Sequence, residues 1–417
     1  MKPLEGIRIL DLSRQFAGAG GTRILATLGA EVIKIEWPEV PAFDFIREMV
    51  VPPELEVNQN RGGLFNGMNV EKRSFTLNMT TDDGKAIMKD LVAMSNMVFD
   101  NMTPRVMKNW GLDYEGLCEV RPDIVAVSCS GYGQTGPWAN FRSYGMPSAA
   151  HTGLVHMVGE PGQPPAGWGF QIGDSHGMTN AAMWAMAGLY FQRVSGRGVN
   201  IDAAQTQGNI AMLAQFFLQN SVNGTVTRRD DWPPGNKRMD PPIAPHNAYP
   251  CLGSDTWCAI TVHSEGEWAN LKAAMGQPAW VNDERFATMT SRYEHSEGLD
   301  EALGAWTSGI ERYTLARRLQ NHGVRAGVVQ SVRDRMEWDA QLAHRKTYGV
   351  YEHAEVGPRR HETVAAKFSD SPYVPDRAAP LMGEDNMYVL RDLLGKTPDE
   401  IDRLAGADVV RMAGGEQ

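Results

Sequence analysis

The sequence has little cysteine: four residues in 417, at Cys118, Cys129, Cys251 and Cys258. None of them forms a C-x-x-C pair, and no pair of histidines has the spacing of a zinc site. This pattern excludes a disulfide-rich scaffold and is typical of free thiols in a reducing cytoplasm. We therefore predict no metal site.

Long hydrophobic runs are also missing. The longest apolar stretch, residues 181–191, has 11 residues, whereas a bilayer-spanning helix needs about 20. The first residues carry no apolar signal core. With 40 basic and 50 acidic residues the net charge is −10, which opposes binding to nucleic acids or anionic membranes. We expect a cytoplasmic protein with neither of these partners.

The apolar content is that of an ordinary globular chain, at 42% hydrophobic residues. Residues 7–12 read as a buried strand, followed by a glycine-rich turn over 17–21, an apolar-periodic helix and a second strand at 31–36. This is a βαβ unit. Further strands at 97–100, 124–129 and 199–202 alternate with predicted helices. The sequence therefore predicts an α/β protein with a mostly parallel sheet covered on both faces.

The composition changes after residue 222. Residues 223–245 are polar and rich in proline, which indicates a linker or loop. A second, smaller unit follows at 246–331, with a strand at 257–262 and a helix at about 313–322. The remaining chain, 332–417, is loop-rich and ends in two short helices, the last opened by a capping box from Thr397 to Glu400. We assign 1–222 to a large domain.

The glycine-rich turn at 18–21 lies where an α/β protein binds a nucleotide phosphate. Glu36, at the end of the second strand, sits where a dinucleotide site has its ribose-binding acid. However, Arg23 stands where the fingerprint needs its third glycine. Two interpretations stay open: a tight turn without a ligand, and an NAD site.

Asp174 stands at the start of the long apolar helix. It is either an N-cap or a nucleophile, because a helix N-terminus stabilises an ionised carboxylate in both roles. His176, two residues later, is either structural or an acid/base.

A set of basic residues either contacts phosphate groups of a ligand or forms a solvated basic face. This set comprises Lys72, Arg73, Arg105 and Lys108.

Segments along nearly the whole chain match one family in its order. They are 3–13 (PLEGIRILDLS), 28–36 (LGAEVIKIE), 72–74 (KRS), 100–104 (DNMTP), 130–137 (SGYGQTGP), 173–177 (GDSHG), 196–202 (GRGVNID), 235–251 (GNKRMDPPIAPHNAYPC) and 380–384 (PLMGE). Together they resemble the class III CoA-transferases of the CaiB/BaiF type.

The resemblance implies a large Rossmann-like domain built from the N-terminal half and the C-terminal segment, with a smaller α/β domain between them. It implies a homodimer of two chains interlocked like linked rings; a hetero-oligomer with a related subunit is the alternative. Asp174 takes the position of the catalytic nucleophile. The CoA-binding positions are Phe16, Ala17, Leu77, Met79, Thr80, Asn101, Met102, Ser130, Gly131, Tyr132 and Gly133, with Arg73, Arg105 and Lys108 as candidate phosphate contacts. Trp37 and Asn109 depart from the family, since both stand where it often has arginine.

The activity implied is transfer of CoA from an acyl-CoA thioester to a free carboxylic acid. It would pass through a mixed anhydride and an aspartyl-CoA thioester on Asp174, with no permanently bound cofactor. One alternative is an α-methylacyl-CoA racemase on the same fold, although residues 142–146 lack its histidine and the first one follows at His151. The others are an NAD-dependent oxidoreductase and a non-catalytic partner subunit, which the presence of Asp174 opposes.

Overall fold

The structure is a computed structural model that describes residues 2–159, 162–226, 228 and 235–412. The chain divides into two compact units. The first comprises Met1–His156, Gly167–Leu218 and Gln341–Gln417, and the second comprises Met157–Ala166 and Gln219–Ala340. Part of the proline-rich segment predicted as a linker, namely residues 227 and 229–234, lies outside the described residues.

A six-stranded parallel sheet forms the centre of the first unit, in the order β3-β2-β1-β4-β5-β6. The strands are β1 (Arg8–Asp11), β2 (Glu31–Glu36), β3 (Arg73–Thr76), β4 (Met97–Asp100), β5 (Val125–Ser128) and β6 (Val199–Asp202). Most residues of the four central strands are buried, as expected when helices cover both faces. The predicted parallel α/β sheet is confirmed.

Helices alternate with these strands. They are α1 (Ala17–Thr27), α2 (Gly63–Met68), α3 (Asp82–Ala93), α4 (Pro104–Trp110), α5 (Tyr114–Val120), α6 (Gly145–His151), α7 (Ile172–Ser195), α8 (Gln205–Ala211) and α9 (Ala214–Asn223). One core cluster includes Leu10, Ile33 and Leu91, and another includes Ile9, Phe99 and Ala181. Within the described part of the chain, no helix combines the length and apolarity that crossing a bilayer requires.

The second unit contains an antiparallel sheet in the order β11-β10-β9. Its strands and helices are β7 (Arg238–Met239), β8 (Pro242–Ile243), β9 (His246–Pro250), β10 (Trp257–Thr261), α10 (Glu265–Met275), α11 (Met289–Glu294), α12 (Ser296–Thr307), α13 (Arg312–Asn321), β11 (Arg325–Val329) and α14 (Val332–Glu337). A core around Tyr249, Trp268 and Leu303 joins sheet and helices. The predicted strand and helix of this segment are present within two residues of their expected bounds.

The C-terminal segment contains more regular structure than predicted. After α15 (Ala340–His344), β12 (Tyr348–His353) and β13 (Gly357–Glu362) form an antiparallel hairpin. The prediction of a loop-rich segment is wrong here because the inward positions of β12 are Gly349, Tyr351 and His353, which give no clear apolar alternation. A π-helical turn (Tyr388–Leu393) and α16 (Pro398–Gly406) follow, and the predicted capping box at Thr397 is confirmed.

The glycine-rich segment after β1 is helical, so the prediction of a turn at 18–21 is wrong. Helix α1 already begins at Ala17 and packs on α7. A Cβ on Gly20 would lie 2.6 Å from the sulfur of Met178, and one on Gly21 would lie 3.2 Å from the Cβ of Ala181. The glycines therefore allow the two helices to approach closely, despite their low helix propensity.

A buried charged network lies at the carboxyl end of β1. The Nζ of Lys72 is 2.9 Å from Oδ2 of Asp11 and 2.7 Å from the hydroxyl of Thr22. Burial by itself would raise the pKa of Asp11, but the charges of Lys72 and Lys34 hold it below its usual value. Lys34 in turn donates to the backbone carbonyl of Ser13 at 2.6 Å. The network thus fixes the segment that leaves β1.

Replacing Lys72 with methionine should lower the free energy of unfolding by about 3 kcal/mol, because Asp11 would keep a buried charge without its main partner. Urea denaturation of the whole protein measures this loss. The matched control is Lys85→Met, which breaks a surface pair with Asp82 and should cost less than about 1 kcal/mol. Equal losses for the two variants would show that the network does not depend on Lys72.

Candidate active site

Asp174 lies in the first turn of α7, with its side chain half-buried. The N-cap of this helix is Gln171, so Asp174 is the third helical residue and the N-cap interpretation is wrong. Burial raises the pKa of Asp174 to about 6, although the backbone N–H of Gly145 donates to the carboxylate and acts in the opposite direction. Burial therefore outweighs the stabilisation of the anion that we expected from the helix start.

Glycines surround this carboxylate. A Cβ on Gly145 would lie 2.5 Å from Oδ2 of Asp174, and a Cβ on Gly173 would lie 2.9 Å from the carbonyl oxygen of Gly145. Any larger side chain at Gly145 would push the carboxylate away from the backbone N–H. Gly145 could not be predicted from the sequence, because its role arises from a contact between residues 29 positions apart.

His176 belongs to a polar cluster rather than standing free beside Asp174. Its Nδ1 lies 3.3 Å from the amide oxygen of Asn209 and 3.3 Å from the amide nitrogen of Asn180. Asn209 is fully buried and donates to the hydroxyl of Ser148 at 3.1 Å. These contacts support the structural interpretation of His176.

Three predicted CoA residues, Phe16, Ala17 and Asn101, lie around the start of α1. Phe16 immediately precedes α1. The amide group of Asn101 accepts from the backbone N–H of Arg14 at 2.9 Å and donates to its carbonyl at 2.8 Å. A Cβ on Gly177, one turn after Asp174, would lie 3.4 Å from the Cβ of Ala17. The structure thus brings Ala17 close to the helix that carries the nucleophile candidate.

The turn after β5 contains the second group of predicted CoA residues. The carbonyls of Ser130 and Gly131 each accept a backbone hydrogen bond at 3.0 Å from the start of α8. Gly133 has φ 88°, which favours glycine. Tyr132 places its hydroxyl 2.5 Å from Nδ1 of His151. Because a Cβ on Gly131 would overlap Ser143, this turn packs on the segment that leads to Gly145.

A cleft of about 210 Å³ opens at the carboxyl ends of β1 to β4, the edge where parallel sheets bind ligands. It brings together four predicted CoA residues. They are Leu77, Met79, Thr80 and Met102. The sequence analysis missed Arg14 and Trp110, which also line it. The position of Arg14 just after β1 was a signal that could have identified it.

The predicted basic contacts lie elsewhere. Arg73 is paired with Asp385 at 2.8 Å and with Glu31 at 3.3 Å, so its guanidinium is engaged within the first unit. Arg105 and Lys108 are exposed on α4. Lys108 lines a separate cavity of about 180 Å³.

Two further residues bear on the cleft. Trp37 is buried beneath the guanidinium of Arg411, at 4.9 Å from the ring centre. Glu36 accepts two hydrogen bonds from Arg47, at 2.6 and 2.9 Å. This pairing occupies the carboxylate that a dinucleotide site would use for a ribose, and it argues against the NAD interpretation.

Known proteins resemble this chain over nearly its full length. The succinyl-CoA–D-citramalate CoA-transferase of Chloroflexus aurantiacus is 30% identical over 416 residues, which cover 98% of each chain. The formyl-CoA:oxalate CoA-transferase of Streptomyces avermitilis is 28% identical over 98% of this chain and 100% of its own. The crystal structure of a CaiB/BaiF family protein from Brucella suis superposes with a TM-score of 0.84, at 27% identity, and covers 94% of this chain and 99% of its own.

The family model described as CoA-transferase family III matches residues 4–386. The same residues contain the parallel sheet, the helix start with Asp174 and the cleft. The chain belongs to CoA-transferase family III.

Proposed function

We propose that this CoA-transferase moves CoA between carboxylic acids by covalent catalysis on Asp174. Membership of the family supports the reaction class. The observation that carries the assignment of the residue is the half-buried Asp174 carboxylate in the first turn of α7, which lies directly against the backbone of Gly145. A CoA thioester is the substrate, and the reaction requires no permanently bound cofactor. The relatives that resemble this chain are named as CoA-transferases, and they do not favour the racemase alternative.

The transfer divides into four acyl substitutions. A carboxylate oxygen of Asp174 attacks the donor thioester, the C–S bond breaks, and a mixed anhydride and the CoA thiolate form. The thiolate attacks the aspartyl carbonyl, which gives an aspartyl-CoA thioester and releases the donor acid. The acceptor carboxylate then attacks this thioester, and the released thiolate attacks the acceptor carbonyl of the new anhydride. Asp174 is regenerated as a carboxylate.

The CoA site we propose extends from Asp174 to the cleft. Its members are Phe16, Ala17, Leu77, Met79, Thr80, Asn101, Met102, Ser130, Gly131, Tyr132 and Gly133. The contacts of Ala17 with α7 and the contact of Gly131 with the segment before Gly145 support this continuity. The exposure of Arg105 and Lys108 on α4 leaves them accessible to phosphate. The pairing of Arg73 with two carboxylates supports a structural role instead.

A mass-spectrometric assay tests the activity. The protein is incubated with succinyl-CoA, the donor for which one relative is named, and a panel of carboxylic acids. We expect new acyl-CoA thioesters, formed with release of succinate. If the protein gives no new thioester from succinyl-CoA or from a wider set of acyl-CoA donors, the proposed function is wrong.

Replacing Asp174 with asparagine should reduce transfer by about three orders of magnitude or more, because the amide is not a competent nucleophile. The size of the side chain is kept, so thermal unfolding should change little. The control is Asp82→Asn, which changes an aspartate in the first turn of α3 that lies on the surface. This control should retain full activity.

Chemical trapping identifies the residue independently. After incubation with an acyl-CoA and then hydroxylamine, the wild-type protein should carry a hydroxamate at Asp174, read by peptide mass. Modification of a different carboxylate, or substantial transfer by Asp174→Asn, would refute the assignment.

The pH dependence of kcat/KM should report the pKa of Asp174. Because the nucleophile must be ionised and burial raises its pKa to about 6, kcat/KM should fall about tenfold per pH unit below 6. The measurement covers pH 4.5 to 8, with a thermal melt at each pH to exclude unfolding. An activity that stays constant down to pH 5 would contradict a raised pKa for the nucleophile.

We also propose a homodimer of this chain. Residues 181–191 of helix α7 are apolar on every side of the helix. Ala181 and Ala185 pack in the core beside the sheet, whereas Trp184, Tyr190 and Val194 are 47 to 69% exposed. Such a helix is expected to be covered. The interlocked arrangement implied by the family resemblance would cover it with a second chain; pairing with a related subunit would do the same.

Light scattering at micromolar concentration should give twice the mass of one chain. Tyr190→Glu should shift the protein toward monomer, because it places a charge on the exposed side of α7. Trp338→Glu, which changes an exposed aromatic residue of α14's C-terminal end, should leave the mass unchanged. A wild-type protein that remains monomeric would exclude the proposed homodimer.

A further inference from the structure

The cleft at the carboxyl ends of β1 to β4 has a lining that suits the nucleotide end of CoA. Its volume is about 210 Å³. Trp110 lines it, and an aromatic ring of this kind offers a face on which a base stacks. Leu77, Met79 and Thr80 lie along it. A CoA site at this cleft rests on the proposed function, in which CoA is the substrate.

The nucleotide end of CoA carries a diphosphate and a 3′-phosphate, so its site needs positive charge. The two positions where the family resemblance leads us to expect arginine are neutral here, as Trp37 and Asn109. Lys72 is buried against Asp11. Two other basic residues close to the cleft are already paired with carboxylates. Arg47 pairs with Glu36, and Arg411 pairs with Glu39.

Arg14 is the one basic residue among the described residues that line the cleft. Its Nη1 donates to the backbone carbonyl of Pro41 at 2.9 Å, and no ion pair to it occurs within residues 2–159, 162–226, 228 and 235–412. Burial lowers the pKa of its guanidinium, although the charges of Asp44 and Glu36 act in the opposite direction. The side chain nevertheless stays charged near neutral pH, and it has donors left for a ligand.

The backbone of Arg14 is held rigidly. The amide of Asn101 bonds both its N–H and its carbonyl. On one side, the carbonyl of Ser13 accepts from buried Lys34. On the other side, Gln15 adopts a left-handed φ of 62° and its N–H donates to Asp44 at 3.1 Å. A residue forced into this conformation persists only where its surroundings fix it, so Arg14 is pre-organised at the cleft.

We propose that Arg14 binds a phosphate group of the nucleotide end of CoA and supplies the positive charge that Trp37 and Asn109 lack. A guanidinium with free donors suits a phosphate, because the two form charge-assisted hydrogen bonds. Arg14 is therefore a binding residue for the acyl-CoA donor and not a participant in the bond changes at Asp174.

Calorimetric titration with CoA tests this inference. Arg14→Gln should weaken CoA binding at least tenfold, and Arg14→Lys should restore part of the affinity. The control Arg403→Gln, which breaks a surface pair with Asp83, should bind CoA like the wild type. If the wild type binds no CoA, the proposed function fails; if it binds CoA and Arg14→Gln binds equally well, only the assignment of Arg14 is wrong.

A second measurement separates binding from folding. Succinyl-pantetheine carries the thioester without the nucleotide, so the preference of the enzyme for succinyl-CoA over it, as a ratio of kcat/KM values, should fall at least tenfold in Arg14→Gln. An equal loss on both donors would point to a structural role and overturn the inference. Titration with dephospho-CoA, which lacks the 3′-phosphate, shows which phosphate Arg14 binds. If Arg14→Gln weakens binding of dephospho-CoA as much as binding of CoA, Arg14 contacts the diphosphate; if it weakens it less, Arg14 contacts the 3′-phosphate. Both results support the proposal.

Discussion

The buried charges behind β1 are the constraint on which the candidate site depends. Asp11 and Lys72 are both fully buried, and their pairing is compensated by hydroxyl and backbone groups around them. Charges removed from water are tolerated only when every partner is in place. The same groups hold the short segment between β1 and α1 in one conformation, with Gln15 in the left-handed region. Arg14, which lines the cleft of the proposed CoA site, and Phe16, which immediately precedes α1, both belong to this segment.

Close packing between helices provides the second constraint. Helix α7 runs against α1 through Gly20 and Gly21, and its first turn meets Gly145 through Gly173. The absence of side chains at these contacts brings a backbone N–H to the carboxylate of Asp174 while the helices still bury their apolar faces. Burial then raises the pKa of Asp174 to about 6, which leaves it ionised near neutral pH but more basic than an exposed aspartate. A more basic carboxylate is the better nucleophile, provided that it remains ionised.

Much of the fold was predictable because its signals are local. The four central strands of the parallel sheet are short, mostly apolar runs, and the capping box at Thr397 has a recognisable spacing. The hairpin β12–β13 was missed because glycine, tyrosine and histidine fill its inward positions. The glycine-rich first part of helix α1, residues 17–21, was mistaken for a turn, since propensity favours a turn and only the contact with α7 makes a helix with these glycines stable. Tertiary packing overrode the local preference in that case.

The sequence by itself determined the α/β class and the resemblance to the CoA-transferase family, and it led to the proposal of Asp174 as the nucleophile, because each rests on residue order and on motifs that keep their spacing. Only the tertiary structure decided that Asp174 is not an N-cap, that Gly145 holds its carboxylate, that Arg73 is paired with Asp385 and that Arg14 stands at the cleft. The physical reason is that charge is compensated in space and not along the chain. Which basic residues are neutralised by carboxylates, and which keep donors for a ligand, depends on neighbours that lie dozens to hundreds of positions apart.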